Sequence, residues 1–299
     1  MRVRATRTST IPAWSFAVAA MFSVQLGAAL SLHLISVVGP AGAACLRLSA
    51  GALIFLAWNR PPLHEIRVKD VPALVGLGVM TGLATIAFLA AIERIPLGTT
   101  VAIEFLGPLT VAATRSHSVR SLTWPVLALL GVVVLTQPWH GRVNVAGLAL
   151  ASFAAVGWGS YILLTQRISD HFAGFGVLSL TIPMGAVTAA FFGAPRSFGH
   201  LTLGILAVSF GLALLFPVLP YALEMRALRQ MTPEAFGTLM AIEPAIGVLV
   251  GLFVLHQSLS VLQCVGIVLV VLAGVAAQRD GRNRLATHGE RTRLREYRV

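Results

Sequence analysis

Two stretches of the chain, GTTVAIE at residues 98–104 and GTLMAIE at residues 237–243, spell nearly the same heptapeptide. Each stretch ends in a carboxylate, Glu104 or Glu243, that lies within a long apolar segment. A charged side chain near the middle of a bilayer costs at least about 2.5 to 3.5 kcal/mol, so such a group is retained where it faces a cavity, a partner or a proton. A duplicated carboxylate of this kind is therefore typical of the working centre of a membrane transporter.

The amino-acid composition indicates a protein that lies within the lipid bilayer. Hydrophobic residues make up 57% of the 299 residues, charged residues make up 11%, and the mean hydropathy is +0.84. A helix needs roughly 17 to 25 mainly apolar residues to cross the hydrocarbon core, and open strand edges cannot be satisfied in lipid. The sequence therefore predicts an all-α integral membrane protein with ten transmembrane helices. The predicted spans are 13–35, 41–58, 71–92, 97–114, 121–138, 144–165, 174–193, 201–223, 235–255 and 259–278.

The basic residues follow the pattern of membrane topology and not that of a nucleic-acid surface. The formal net charge is +11. When the N-terminus is set in the cytoplasm, 18 of the 22 basic residues fall in cytoplasmic regions, three fall on the outer side and Arg47 falls within a span. This asymmetry follows the positive-inside rule and predicts that both termini are cytoplasmic. The expected partner is therefore the lipid bilayer, and nucleic acid is not expected.

Internal repetition divides the chain into two units. Glu104 and Glu243 are 139 residues apart, and each unit contains five predicted spans. The predicted units are residues 1–140 and 141–280, followed by a basic cytoplasmic tail at residues 281–299. Because five is odd, the second unit enters the membrane with the opposite orientation, which gives the inverted repeats that recur in secondary transporters. We therefore expect a binding site near the membrane midplane between the two halves.

Each repeated glutamate is close to a proline that disturbs its helix. Pro108 follows Glu104 by four residues, and Pro244 follows Glu243 directly. Proline removes a backbone donor and displaces the carbonyl four residues earlier, so both helices are expected to kink beside their carboxylates. The functional interpretation is a site that binds a proton or a substrate ammonium group. The structural alternative is a permanently protonated glutamate that makes an inter-helix hydrogen bond.

Four further polar or aromatic residues are candidates for the same site. Arg47 is the one basic residue deep in a predicted span. It could bind a substrate carboxylate or neutralise Glu104. Alternatively, it could be a structural group whose side chain extends to the membrane interface. Gln25 in the first helix and Trp158 and Tyr161 in the sixth lie at matching places in the two halves. Such groups suit a pocket for a small zwitterion, although polar side chains also join membrane helices without binding a ligand.

The eighth predicted span contains a further break and two further polar residues. Pro217 and Pro220 are predicted to kink this helix just before Tyr221, which makes Tyr221 a candidate site residue. Glu224 follows close to the predicted cytoplasmic end of the span. A solvated carboxylate at a helix end is the favoured interpretation of Glu224, ahead of a gate.

The sequence contains no motif for catalysis, nucleotide binding or metal binding. It has no Walker loop, nucleotide fingerprint or nucleophile elbow, and its histidines are never paired at metal-ligand spacing. We therefore expect no catalytic residue, no metal and no cofactor, with transport driven by a gradient. The alternatives from other classes are a membrane-embedded enzyme, which would need clustered nucleophile, acid and base groups at one depth, and a non-transporting sensor or lipid scramblase.

Two runs of sequence carry a resemblance to a known family. They are LPYALEMRALRQMTPEAFGTLMAIEPA at residues 219–245 and VAIEFLGPL at residues 101–109. With ten predicted helices in two repeats, the chain resembles the EamA-type permeases of the drug/metabolite transporter superfamily, and it is most similar to their threonine and homoserine exporter branch. The resemblance implies an inner-membrane, proton-linked efflux carrier with a central cavity. It implies an amino acid as substrate; the alternative on the same fold is another metabolite or drug, such as an aromatic amino acid, a nucleoside or a cationic compound.

The charge asymmetry generates a topology prediction. Reporter fusions after Val299 and within residues 139–142 should report opposite sides of the membrane, because an odd number of crossings separates them in the five-plus-five arrangement. A periplasm-active and a cytoplasm-active reporter at each site measure this. If both positions reported the same side, the two inverted five-helix units would be wrong.

Overall fold

The computed structural model describes residues 12–58, 66–115, 122–137, 144–168 and 175–277, and the basic tail predicted at 281–299 lies outside them. Regular secondary structure in these residues is helical, and no strand occurs in them. The helices are α1 (Ala13–Trp58), α2 (Val71–Ile92), α3 (Leu97–Glu104), α4 (Leu106–Arg115), α5 (Thr123–Thr136), α6 (Val145–Ile168), α7 (Phe175–Ser197), α8 (Leu203–Ala213), α9 (Leu219–Leu228), α10 (Pro233–Met240), α11 (Glu243–Val254) and α12 (Val261–Ala277).

Helix α1 is a hairpin of two helical arms. It contains 46 residues, and the backbone leaves helical geometry at Gly39, whose φ of 74° suits glycine, just before Pro40. In the second arm, Arg47 Nη1 donates a hydrogen bond of 3.3 Å to Ser31 Oγ in the first. These two residues would lie about 24 Å apart along a straight helix at 1.5 Å per residue. The arms, residues 13–38 and 40–58, therefore fold back on each other, where the sequence predicted separate spans at 13–35 and 41–58.

The described helices make the chain a multi-pass integral membrane protein. Seven helical spans are long and apolar enough to cross a bilayer; α1 counts as one of them, and the pairs α3–α4, α8–α9 and α10–α11 count as one each. Helices α5 and α12, at the predicted spans 121–138 and 259–278, are apolar but shorter. The helical membrane class is therefore confirmed, and the arrangement of ten crossings in inverted repeats stays a prediction.

The helices that carry the repeated glutamates are both interrupted beside them. Helix α3 ends at Glu104, Phe105 forms a turn and α4 begins at Leu106; Pro108 has no N–H for the Glu104 carbonyl. In the second half, α10 ends at Met240 and α11 begins at Glu243, with Pro244 in its first turn. The backbone breaks therefore occur where the carboxylates are.

A third interruption separates α8 from α9. Residues Leu214–Val218 form one π-helical turn in which Phe216 has extended backbone angles, with φ of −162° and ψ of 118°. Pro217 lies in this turn, and Pro220 lies in the first turn of α9. Ser23 Oγ donates a hydrogen bond of 2.8 Å to the carbonyl oxygen of Leu215, so α1 satisfies a carbonyl in the interrupted segment.

Small residues allow the helices to pack closely around α1 and α6. A Cβ atom added to Gly193 of α7 would meet the backbone carbonyl oxygen of Ala41 in α1. A Cβ atom added to Gly107 of α4 would likewise meet the carbonyl oxygen of Ala155 in α6. Helix association in lipid depends on such close backbone approach, because lipid chains are as apolar as the side chains. These contacts hold the helices that carry the polar residues described below.

This packing predicts a large difference between two glycine substitutions. Gly193→Ala should destabilise the protein by about 1 to 3 kcal/mol, because the added methyl group meets backbone that cannot rotate away. Gly211→Ala in α8 is the matched control, since no atom lies within 4 Å of the position of its Cβ. Thermal unfolding and the yield of monodisperse protein in detergent measure the effect; equal stability of both variants would contradict the packing argument.

Candidate functional site

The described helices enclose a cavity of about 360 Å³. Its wall is formed by α1, α2, α6, α9, α10, the two glutamates beside the helix breaks and the interrupted segment between α8 and α9. A volume of this size falls in the range of small-molecule binding sites. The seven candidate site residues from the sequence all line it: Gln25, Arg47, Glu104, Trp158, Tyr161, Tyr221 and Glu243.

The guanidinium of Arg47 is held in the cavity wall and does not extend to the membrane interface. Arg47 is 2% exposed, and its Cζ lies 5.1 Å from the ring centroid of Phe216. Its Nη1 donates to Ser31 Oγ, whereas Nε is buried without a hydrogen-bond partner. A buried cation requires partners for its donors, so the guanidinium has hydrogen-bonding capacity left for an anionic group in the cavity.

Glu243 is buried and shares a hydrogen bond with Gln25. Gln25 Nε2 donates to Glu243 Oε1 over 3.1 Å, and the two residues are 2% and 5% exposed. The other oxygens of this pair, Gln25 Oε1 and Glu243 Oε2, are buried without hydrogen-bond partners. An unpaired buried polar atom costs about 1 to 3 kcal/mol. The pair therefore retains two acceptors without partners inside the wall.

Glu104 lines the same cavity as the Arg47 guanidinium and Glu243. It is half-buried at the end of α3 and interacts electrostatically with Arg47 and with Glu243. Arg47 and Glu104 do not form a close ion pair. In the part of the chain that the structure describes, an N–O distance below 4.0 Å occurs between Arg94 and Glu93, so the Arg47–Glu104 interaction acts over a longer distance.

Two tyrosines and a third carboxylate form another part of the wall. Tyr161 in α6 and Tyr221 in α9 line the same cavity as Glu224. The Tyr221 ring also makes an edge contact with Phe55, with centroids 6.4 Å apart. Glu224 interacts electrostatically with both tyrosines and with Glu243.

The sequence-based interpretation of Glu224 as a solvated helix-end carboxylate is wrong. Glu224 is half-buried and lines the cavity. It lies three residues after Tyr221, which puts both on one face of α9, so helical periodicity was the signal that could have found it. Phe216 and Thr81 also line the cavity without having been selected, and the Thr81 hydroxyl oxygen is buried without a hydrogen-bond partner.

Comparison with known proteins identifies the family. A model of the EamA-like transporter family matches residues 145–276. The threonine/homoserine exporter RhtA of Salmonella typhimurium (strain SL1344) is 33% identical over 282 residues, which are 90% of this chain and 93% of the relative. RhtA of Escherichia coli (strain K12) is 34% identical over 267 residues, which are 86% of this chain and 88% of the relative. The chain belongs to the EamA-like transporter family.

Family membership establishes a membrane exporter near the RhtA branch, and the relatives are transporters and not enzymes. A solved crystal structure is also similar, with a TM-score of 0.60 and 18% sequence identity, covering 90% of this chain and 98% of that chain. At this identity the likeness shows the fold alone. The EamA-type resemblance drawn from the sequence is confirmed.

The buried Gln25–Glu243 pair predicts non-additive stability. Gln25→Leu should destabilise the protein by about 1 to 3 kcal/mol, because Glu243 then loses its donor inside the wall. The double variant Gln25→Leu with Glu243→Leu should lose less than the sum of the two single variants, since no polar group remains unpaired. Thermal or chemical unfolding in detergent completes the cycle; additive losses would show that the hydrogen bond contributes little.

Proposed function

We propose that the protein exports small amino acids, most closely threonine or homoserine, across the inner membrane in exchange for protons by alternating access. The observation that carries the proposal is the composition of the cavity wall. Among apolar and uncharged polar residues, it holds one guanidinium, from Arg47, and three carboxyl groups, from Glu104, Glu224 and Glu243. The relatives named threonine/homoserine exporters support the choice of substrate.

The charges of the wall match those of an amino acid. An amino acid carries a carboxylate and an ammonium group on one carbon atom, so it needs a cation and an anion close together. Arg47 provides the cation, with donors left for a carboxylate. Glu104 and Glu243 provide acceptors for the ammonium group, and their electrostatic interaction with each other indicates that both are close to the same region of the cavity. Trp158 adds an aromatic surface beside them.

Competition for one carboxyl group connects the substrate to protons. An ammonium group binds most strongly to an ionised carboxylate, and a proton on the same carboxyl group removes that negative charge. A proton and a substrate ammonium group therefore compete for the same carboxyl group. If each enters only when the other has left, the carrier exchanges them, and a proton gradient drives the amino acid outward.

We also propose ten crossings arranged as inverted repeats, residues 1–140 and 141–280, with both termini in the cytoplasm. The hairpin of α1 provides two crossings. The apolar helices α5 and α12, which are shorter than the seven long spans, provide two more. Gly131 of α5 and Gly266 of α12 support the repeat, because a Cβ atom on each would meet the carbonyl oxygen of the other. Such a reciprocal contact is expected between equivalent helices related by a two-fold axis. The breaks at Pro108, Pro217, Pro220 and Pro244 would then be the places where the helices bend.

The coupling is tested with purified protein in proteoliposomes. Wild-type protein should exchange labelled threonine and homoserine, and a pH gradient should drive their accumulation. Glu104→Gln or Glu243→Gln fixes a neutral side chain, so exchange should persist while accumulation driven by the gradient falls at least about tenfold. Glu93→Gln is the matched control, because Glu93 pairs with Arg94 outside the cavity.

Two results would contradict the proposal. Normal gradient-driven accumulation in both Glu104→Gln and Glu243→Gln would leave the glutamates as structural hydrogen-bonding groups. A counterflow screen in which nucleosides or cationic dyes exchange and amino acids do not would assign the cavity to another class of substrate.

A further inference from the structure

We propose that Tyr161, Tyr221 and Glu224 form a subsite for a hydroxyl group on the side chain of the transported amino acid, an inference that rests on the amino-acid export proposed above. We call these three residues the tyrosine–glutamate cluster. It selects a polar side chain over an apolar side chain of the same shape.

The tyrosine–glutamate cluster lies away from the guanidinium. Tyr221 contacts Phe55, which lies eight residues after Arg47 in the second arm of α1. At 1.5 Å per residue, this separation is about 12 Å along the arm. A zwitterion held by Arg47, Glu104 and Glu243 would direct its side chain toward Glu224.

The hydrogen-bonding groups of the cluster suit a hydroxyl ligand. The phenol hydroxyls of Tyr161 and Tyr221 can each donate one hydrogen bond, and both residues line the cavity. Glu224 supplies carboxyl oxygens on the same face of α9 as Tyr221. A substrate hydroxyl could accept a hydrogen bond from a phenol and donate its own proton to Glu224, so that both its donor and its acceptor are used.

The packing of the cluster holds it in this geometry. Tyr221 makes its edge contact with Phe55, which is 1% exposed, and Tyr161 lies on α6, which packs against α2. A site built to bond a hydroxyl rejects the analogue without it strongly, because its own polar groups are then left unpaired. An apolar pocket discriminates poorly between the same two ligands.

Isosteric amino acids test the subsite in proteoliposomes. Valine has the shape of threonine with a methyl group for the hydroxyl, and norvaline stands in the same relation to homoserine. Unlabelled threonine should compete with labelled threonine at least about tenfold better than valine does in the wild type. Tyr221→Phe and Glu224→Gln should each reduce the preference for threonine over valine by about tenfold. The reason is weaker binding of threonine, so valine should compete as it does in the wild type. The preference for homoserine over norvaline should fall in the same way.

Controls separate this subsite from a loss of folding or of coupling. Tyr161→Phe provides a second variant in which one oxygen is removed, and all values are taken per folded molecule. Glu93→Gln, outside the cavity, should keep the wild-type ratio. An unchanged ratio in Tyr221→Phe, Tyr161→Phe and Glu224→Gln, or a wild type that accepts valine as well as threonine, would overturn the subsite while amino-acid export stands. A wild type that transports no amino acid would overturn the proposed function and the subsite together.

Discussion

The structure depends on a charge imbalance in one cavity, whose wall holds Arg47 together with Glu104, Glu224 and Glu243. Charges in such surroundings are strongly unfavourable unless partners compensate them. Several contacts stabilise these groups. Ser31 accepts a hydrogen bond from the Arg47 guanidinium, which also lies over the Phe216 ring, and Gln25 donates a hydrogen bond to Glu243. In the proposed transport function, the guanidinium and carboxyl groups of this wall bind ligands, whereas a sealed structural ion pair would bind none.

The helix breaks bring these groups into the cavity. A continuous helix has no free carbonyl groups in its middle, but Pro108 and Pro244 remove the donors for the carbonyls of Glu104 and Met240. The interrupted segment between α8 and α9 turns Phe216 onto Arg47. Irregular backbone is tolerated at membrane depth where it is buried in protein or lines a cavity. Breaks and polar side chains therefore occur together.

The two repeated glutamates differ in burial and in the residues that contact them. Glu243 begins α11, is 5% exposed and accepts a hydrogen bond from Gln25, whereas Glu104 ends α3, is half-buried and interacts with Arg47. Their sequence environments are nearly identical, and the difference arises from the partners that α1 contributes to each. The two glutamates therefore lie in unlike surroundings, which suits the proposed zwitterionic substrate with its two unlike ends.

The sequence by itself determined the helical membrane class, the family resemblance and the seven candidate residues, because hydropathy and charge in apolar segments depend on local composition. It predicted the two arms of α1 as the spans 13–35 and 41–58, but it did not determine that Arg47 bonds to Ser31, since this contact depends on how the two arms pack against each other. It also misjudged Glu224, whose depth depends on how α9 packs beyond the break at Pro217. Tertiary structure alone decided which polar groups share a cavity, because hydrogen bonds and electrostatic interactions between residues such as Gln25 and Glu243 join parts of the chain that no local pattern relates.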